Sequence, residues 1–294
     1  MEPAWLRDQA IVGNIAAIAK NREVKWTWNL PDGKQIGIRQ TRIAWSRDFE
    51  RWITMLGIDQ RHLDIFISTN QLNWKALPEL PPPYRVKGRG VNTKGRKLYS
   101  TRWKYFLTPE GLKPYGLKFE EVWLGKNMVW DFDHEDLSVS FQDAYQVYNY
   151  LTEAGMHPTI VFSGRKGFHV WLTGDESAQM AGVHLHDLKD NEDPLRDIGK
   201  IYARVVADTT FAATGNAHPS LDLSPNYRQG LIRLPYSVNQ QVVWPLSAEE
   251  INILHRSEFT TDAEVGSLLH PWQKQNLFYR AGNQCFRRML DNFD

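Results

Sequence analysis

Cysteine is almost missing from this 294-residue chain, in which Cys285 stands alone. That excludes an intramolecular disulfide and a zinc knuckle built on cysteines, and it favours a reducing, intracellular setting. Long apolar runs are missing too. The nearest candidate, Ile11 to Ala19, is broken by Asn14, and no stretch approaches the roughly 18 apolar residues that a membrane span needs. The opening residues, Met1 to Asp8, have no basic segment leading into an apolar one, so neither secretion nor membrane insertion is expected. Repeats and biased tracts are also absent. With 42% apolar and 23% charged residues, the composition excludes disorder, collagen-like structure and coiled coil. What remains is a folded chain long enough for one large domain or two modest ones.

An excess of one charge is likewise lacking: Lys plus Arg number 35, Asp plus Glu 34, and the formal net charge is +1. The balance conceals a split. Residues 1–130 hold 22 basic and 12 acidic side chains, whereas residues 131–294 hold 13 and 22. The basic excess is concentrated in 84–106, where Arg85, Lys87, Arg89, Lys94, Arg96, Lys97, Arg102 and Lys104 meet no acidic residue. Tyr84, Tyr99, Trp103, Tyr105 and Phe106 are interleaved with them. Such asymmetry hints at nucleic-acid or membrane contact by the basic half.

Residues 3–20 have helical spacing, and 24–45 read as a hairpin around Pro31-Asp32-Gly33. Residues 64–69 form a buried-strand candidate. Pro78 and Pro81 to Pro83 mark an internal boundary, because proline cannot donate to a ladder. Glycines 88, 90 and 95 suggest a loop leading into a strand at 97–107. The second half reads as a strand at 127–133, a helix at 141–153, strands at 159–163 and 168–173, a helix at 194–213, and strands at 221–223 and 230–237. That β-α-β-β-α-β order is the split βαβ arrangement of RRM-like sheets. Ser247 with Glu250 makes a capping box, heading helical packing to about residue 292. The expected fold class is therefore α+β: an RRM-like (split βαβ) core with helical C-terminal packing over 121–294, joined to an N-terminal α/β subdomain over 1–120.

Three constellations could carry chemistry. Val129-Trp130-Asp131-Phe132-Asp133 puts two carboxylates at i and i+2, hence on one face of a strand. Hard divalent cations such as Mg²⁺ or Mn²⁺ suit such a pair; a solvated turn or cap is the bland alternative. His134 stays undecided between the two. Ser163-Gly164-Arg165-Lys166-Gly167-Phe168-His169 surrounds a glycine turn with hydroxyl, guanidinium, ammonium and imidazole groups that suit a polyphosphate. An exposed hairpin with a core histidine is the alternative. Asp222, between Leu221 and Leu223, reads as a buried carboxylate in need of a metal or of an ion pair with Arg228 or Arg233. Arg233, Ser237 and Asn239 read as alternate positions on one strand face.

In that order these motifs resemble the archaeo-eukaryotic primase superfamily: the Asp131-x-Asp133 pair, the Ser163 to His169 run, and Asp222 flanked by leucines. The Arg-Leu-Pro-Tyr-Ser-Val-Asn run at 233–239 resembles the strand that follows the family's third motif. The resemblance covers about 125–240. It implies a template-directed primase or primase-polymerase in which Asp131, Asp133 and Asp222 hold two Mg²⁺ or Mn²⁺ ions. Ser163, Arg165, Lys166 and His169 would grip the nucleotide's phosphates, with Arg233, Ser237 and Asn239 as further candidates. The single cysteine leaves no cluster for the zinc module that some members carry, so no zinc is expected. Single-stranded DNA template would lie on Arg85, Lys87, Arg89, Lys94, Arg96, Lys97, Arg102, Trp103 and Lys104, where cations meet phosphates and aromatics stack on bases. The implied partners are nucleoside triphosphates (NTP or dNTP), the template and a helicase, with no membrane, in a cytoplasmic, nucleoid-associated setting. Two alternatives stand beside it: a gap-filling repair polymerase that needs a primer, and a catalytically silent single-strand-binding replication initiator.

Overall fold

The computed structural model describes residues 9–29, 35–41, 48, 63–77, 85–91, 97–101, 107–184, 188, 191–217, 220–228, 230–237 and 243–274, with the backbone alone at 9–12, 14, 28, 29, 35, 36, 38–41, 63, 85–91, 97–101 and 270–274. The chain divides into two compact units. One comprises Met1–Gly125, Val183–Lys200 and Arg228–Leu234; the other comprises Lys126–Gly182, Ile201–Tyr227 and Pro235–Asp294.

In the first unit, helix α1 (Gln9–Ala19) is followed by Asn21 in the left-handed region at φ 62°, a conformation asparagine tolerates. Strand β1 (Arg22–Asn29) then pairs antiparallel with β2 (Gln35–Thr41) and β3 (Leu63–Leu72). Val24 and Trp26 on β1 and Ile65 and Ile67 on β3 alternate into the core and are buried. Arg22 is buried as well: Nε donates to Ile18 O at 3.1 Å, and Nη1 donates to Ser68 O and Thr69 O at 3.0 Å. Those bonds stitch the end of α1 to β3, and desolvation lowers the guanidinium pKa to about 9. The turn at 31–33 and the proline run at 78–83 lie outside the described residues.

Strands β4 (Arg85–Val91) and β5 (Lys97–Thr101) pair antiparallel, with Arg85 opposite Thr101 and Lys87 opposite Tyr99. The run read from sequence as a glycine loop is therefore partly strand. Gly88 and Gly90 fall where the register shifts between Lys87 and Val91, and glycine commonly marks such a bulge. Strand β6 (Trp123–Lys126) joins β3.

The second unit is built on β7 (Met128–Asp133), helix α2 (Leu137–Glu153), β8 (Thr159–Phe162), β9 (Gly167–Leu172), helix α3 (Gly174–Ala181), the part of helix α4 (Pro194–Thr214) from Ile201 onward, and β10 (Leu221–Asp222). Strand β11 (Leu231–Arg233) leaves this series and pairs with β3 of the first unit. Strand β12 (Trp244–Pro245) returns to β8, giving a sheet of order β10-β7-β9-β8-β12. Each neighbouring pair is antiparallel, so β7 and β8 run parallel with β9 between them. This is the split βαβ sheet of an α+β fold.

Asp136 caps α2, its Oδ1 accepting from Ser138 N at 2.9 Å and Ser138 Oγ at 2.7 Å, so the helix begins at 137 and not 141. Leu137, Phe141, Ala144, Val147 and Leu151 recur at helical spacing and are fully buried. They meet the sheet face formed by Trp130, Phe132, Phe162, Phe168 and Val170. Phe141 lies edge-on to Phe168 at 5.2 Å, and Trp130 Nε1 donates to Val206 O of α4 at 3.1 Å. Each such side chain, fully buried, contributes about 1.5–3 kcal/mol. The capping box at Ser247 and Glu250 heads α5 (Ala248–His255), followed by α6 (Asp262–Lys274). Among the described residues, no helix is long and apolar enough to cross a membrane.

Candidate functional site

Because Met128, Trp130 and Phe132 face the helices, Val129, Asp131 and Asp133 lie on the opposite face of β7. The register then decides their neighbours. Asp131 is opposite His169 on one side and Asp222 on the other, and Asp133 is opposite Gly167. Directly opposed residues share a face with Cβ atoms about 4.5–5.5 Å apart. Asp222, Asp131 and His169 thus form one row across three strands, with Asp133 beside it. Toward the other end of the strands this face is apolar: Val129, Val161 and Trp171 are buried.

Asp131 is half-enclosed and His169 is buried, with Nε2 standing 3.2 Å from Asp131 Oδ1. Asp131 Oδ1, His169 Nδ1 and Trp171 Nε1 have no hydrogen-bond partner among the described residues. Asp133 opens to solvent at the strand end. Its carboxyl is held above the ordinary range, first by desolvation and then by the charge of Asp131, with Asp222 adding to the rise and His169 and Lys166 opposing it. All four expected neighbours therefore act on Asp133.

The turn from β8 to β9 closes on itself. Ser163 N donates to Gly167 O at 2.9 Å, Gly167 N donates to Ser163 Oγ at 3.0 Å, and Gly164 takes φ 79°. Ser163 is buried inside the turn, whereas Arg165 and Lys166 are exposed. His134 N donates to Lys166 O at 3.1 Å, bringing the turn against the end of β7. His134 Nδ1 itself accepts from Asp136 N at 3.0 Å, which makes it a brace of the loop into α2. A side chain at Gly167 would collide with the carbonyl of Phe132, so glycine serves here as a point of close approach between strands.

Two readings need correction. Asp222 is exposed, not buried; its Oδ1 accepts from Ser224 N at 2.8 Å and its Oδ2 from Ser224 Oγ at 2.7 Å. The ion pairs considered for it are made elsewhere: Arg228 with Asp193 at 2.6 Å and Arg233 with Asp64 at 2.8 Å. Arg233 and Ser237 also do not share one strand face. The ladder ends at Arg233, Tyr236 adopts φ 68°, and the chain turns so that Val243 N donates to Ser237 O. Arg233 also lies over Phe66 at 4.9 Å in the first unit; Ser237 is buried in the second. Asn239 lies outside the described residues. Of the basic segment, Arg85, Lys87, Arg89 and Lys97 are on β4 and β5, and Lys94, Arg96, Arg102, Trp103 and Lys104 are outside the described residues.

Three site neighbours escaped the sequence reading. Asp143 of α2 is buried and accepts from Ser220 Oγ at 3.0 Å. Buried Asn226 pairs with the β7 backbone, accepting from Val129 N at 3.0 Å and donating to Val129 O. Buried Lys126 donates to Tyr227 O at 3.3 Å. The signal for Asp143 was its place on the apolar stripe of α2; Asn226 and Lys126 offered none.

A divalent cation fits this face in part. Asp131 Oδ1 is buried without a hydrogen bond among the described residues and stands 3.2 Å from His169 Nε2, and the repulsion that raises Asp133 is what a cation would relieve. Among the described residues, however, no three His, Cys, Asp or Glu side chains are gathered closely enough to hold a metal. Asp222, the expected third ligand, is turned to Ser224 instead.

No family model and no curated protein matches the chain. Solved structures similar to it include a polymerase domain and a primase. A polymerase domain from Mycobacterium tuberculosis Ligase D in complex with DNA is 14% identical, with 93% of this chain and 88% of that one covered and a TM-score of 0.47. The primase RepB' is 12% identical, with 95% and 69% covered and a TM-score of 0.34.

Proposed function

We propose that this chain is a template-directed DNA primase or primase-polymerase that joins nucleoside triphosphates through phosphodiester bonds. The observation that carries the reading is the row Asp222, Asp131 and His169 across three strands, with Asp133 and the Ser163–Gly167 turn beside it. Asp131, Asp133 and Asp222 would hold Mg²⁺ or Mn²⁺, which would supply charge stabilisation of the attacking and leaving oxygens. Arg165 and Lys166 would meet the triphosphate as exposed cations, while buried Ser163 keeps the turn closed and His169 stands behind the carboxylates. The hairpin of β4 and β5, with its flanking basic residues, would take single-stranded template.

A second reading, a silent single-strand-binding replication initiator, is favoured by the engagement of Asp222 with Ser224. One assay separates these readings. The full chain is given single-stranded template, labelled nucleotides and Mn²⁺, with and without an annealed primer. Products in both reactions support a primase-polymerase; products only with primer point to a gap-filling polymerase; binding without products in either supports the silent initiator.

A further inference from the structure

The expected third carboxylate rides on a strand too short to fix its own register. Strand β10 is two residues long, Leu221 and Asp222, and a slip of one residue would carry Asp222 to the opposite face of the sheet. The segment is nevertheless tied at both ends by side chains from the core. On one side, Ser220 Oγ donates to buried Asp143 Oδ2 at 3.0 Å, and Ser220 O accepts from Asp133 N at 2.9 Å. On the other, Asn226 takes both backbone groups of Val129, as a strand residue would, and Lys126 Nζ reaches Tyr227 O. The buried Asn226 amide is held where it is by its two bonds, since losing them would leave desolvated polar atoms unpaired. The Asp143 carboxylate, fixed in the core on α2, anchors the Ser220 hydroxyl.

Resting on the reading of this face as a metal-dependent polymerase site, we infer that Asp143, through Ser220, and Asn226 are positioning residues. They clamp β10 so that Asp222 stands opposite Asp131. Neither need touch metal or substrate. Ser224, between the clamps, sets which way the Asp222 carboxylate points.

The test uses Mn²⁺ binding by the purified full chain, followed by the electron paramagnetic resonance of free Mn²⁺, together with thermal midpoints in chelator. Ser220→Ala and Asn226→Ala are expected to weaken Mn²⁺ binding about tenfold, with Ser220→Thr, which keeps the hydroxyl, restoring it. Since the clamps act through Asp222, adding Ser220→Ala to Asp222→Ala should cause no further loss, the non-additivity expected of groups working as one unit. Asn226→Asp keeps the acceptor for Val129 N–H, and should weaken binding by less than Asn226→Ala; it serves if the alanine variant does not fold. Wild-type affinity in Ser220→Ala and Asn226→Ala, or additive loss in the double variant, overturns the clamp. Absence of Mn²⁺ binding by the wild-type chain, or binding unchanged by Asp131→Ala, overturns the metal reading and the clamp with it, so the two failures are told apart.

Discussion

Gly167→Ala is the sharpest test of how the two central strands of the site approach. The added methyl would overlap the carbonyl oxygen of Phe132 and lie 2.8 Å from its carbonyl carbon and 2.7 Å from Asp133 Oδ1. The carboxylate can swing aside, but the Phe132 carbonyl is backbone in the middle of a ladder, so β7 and β9 must part. That movement breaks the two bonds closing the turn, Ser163 N to Gly167 O and Gly167 N to Ser163 Oγ, each contributing about 1 kcal/mol net. Overpacking adds about 1–3 kcal/mol, giving a loss of roughly 3–5 kcal/mol. At about 2–4 °C per kcal/mol for a unit of this size, thermal unfolding should fall by roughly 6–20 °C. Scanning calorimetry of the variant against wild type measures it. Gly13→Ala is the control: it lies inside α1, its β-carbon would meet nothing within 4 Å, and it should stabilise by about 0.5–1 kcal/mol. A Gly167→Ala midpoint within about 2 °C of wild type would refute the reasoning.

Glu250 is buried, with Oε1 unpartnered among the described residues and its pKa raised to about 7 by desolvation. The folded form therefore binds its proton more tightly than the unfolded chain, and stability should decline as pH rises from about 4.5 to above 7, by about 3 kcal/mol in full. Glu250→Gln should remove that decline in denaturation experiments across this range; an unchanged pH profile would contradict it. For the template surface, replacing Arg85, Lys87, Arg89 and Lys97 by alanine should reduce the salt dependence of single-stranded DNA affinity by roughly one unit of log-log slope per lost phosphate contact. An unchanged slope removes these four positions from the surface.

The split βαβ order was legible in the sequence because its strands are apolar runs bounded by turn residues and its helices carry a stripe at helical spacing. The common face of Asp131, Asp133 and His169 followed from alternation once the strands were in order. What stayed hidden depends on long-range pairing. Residues 230–237 look like one strand, yet only Leu231–Arg233 pair, with β3 some 160 positions earlier, and Tyr236 breaks the run. Asp222 between leucines looks buried, but a strand of two residues ending in a 3₁₀ turn leaves it open. Helix α3, unread in a polar stretch, carried its marks in Asp175 and Glu176 at its first turn and Gly182 at its end. The cross-chain bonds of Asp143 and Asn226 leave no local pattern.

The most direct measurement is the rate of template-dependent nucleotide incorporation in Mn²⁺ by wild type, Asp131→Ala and Asp133→Ala proteins of equal thermal stability. If these carboxylates hold the cation that stabilises the transition state, several kcal/mol are lost with either one, a fall of about a thousandfold or more. Incorporation at the wild-type rate in both variants would contradict the account.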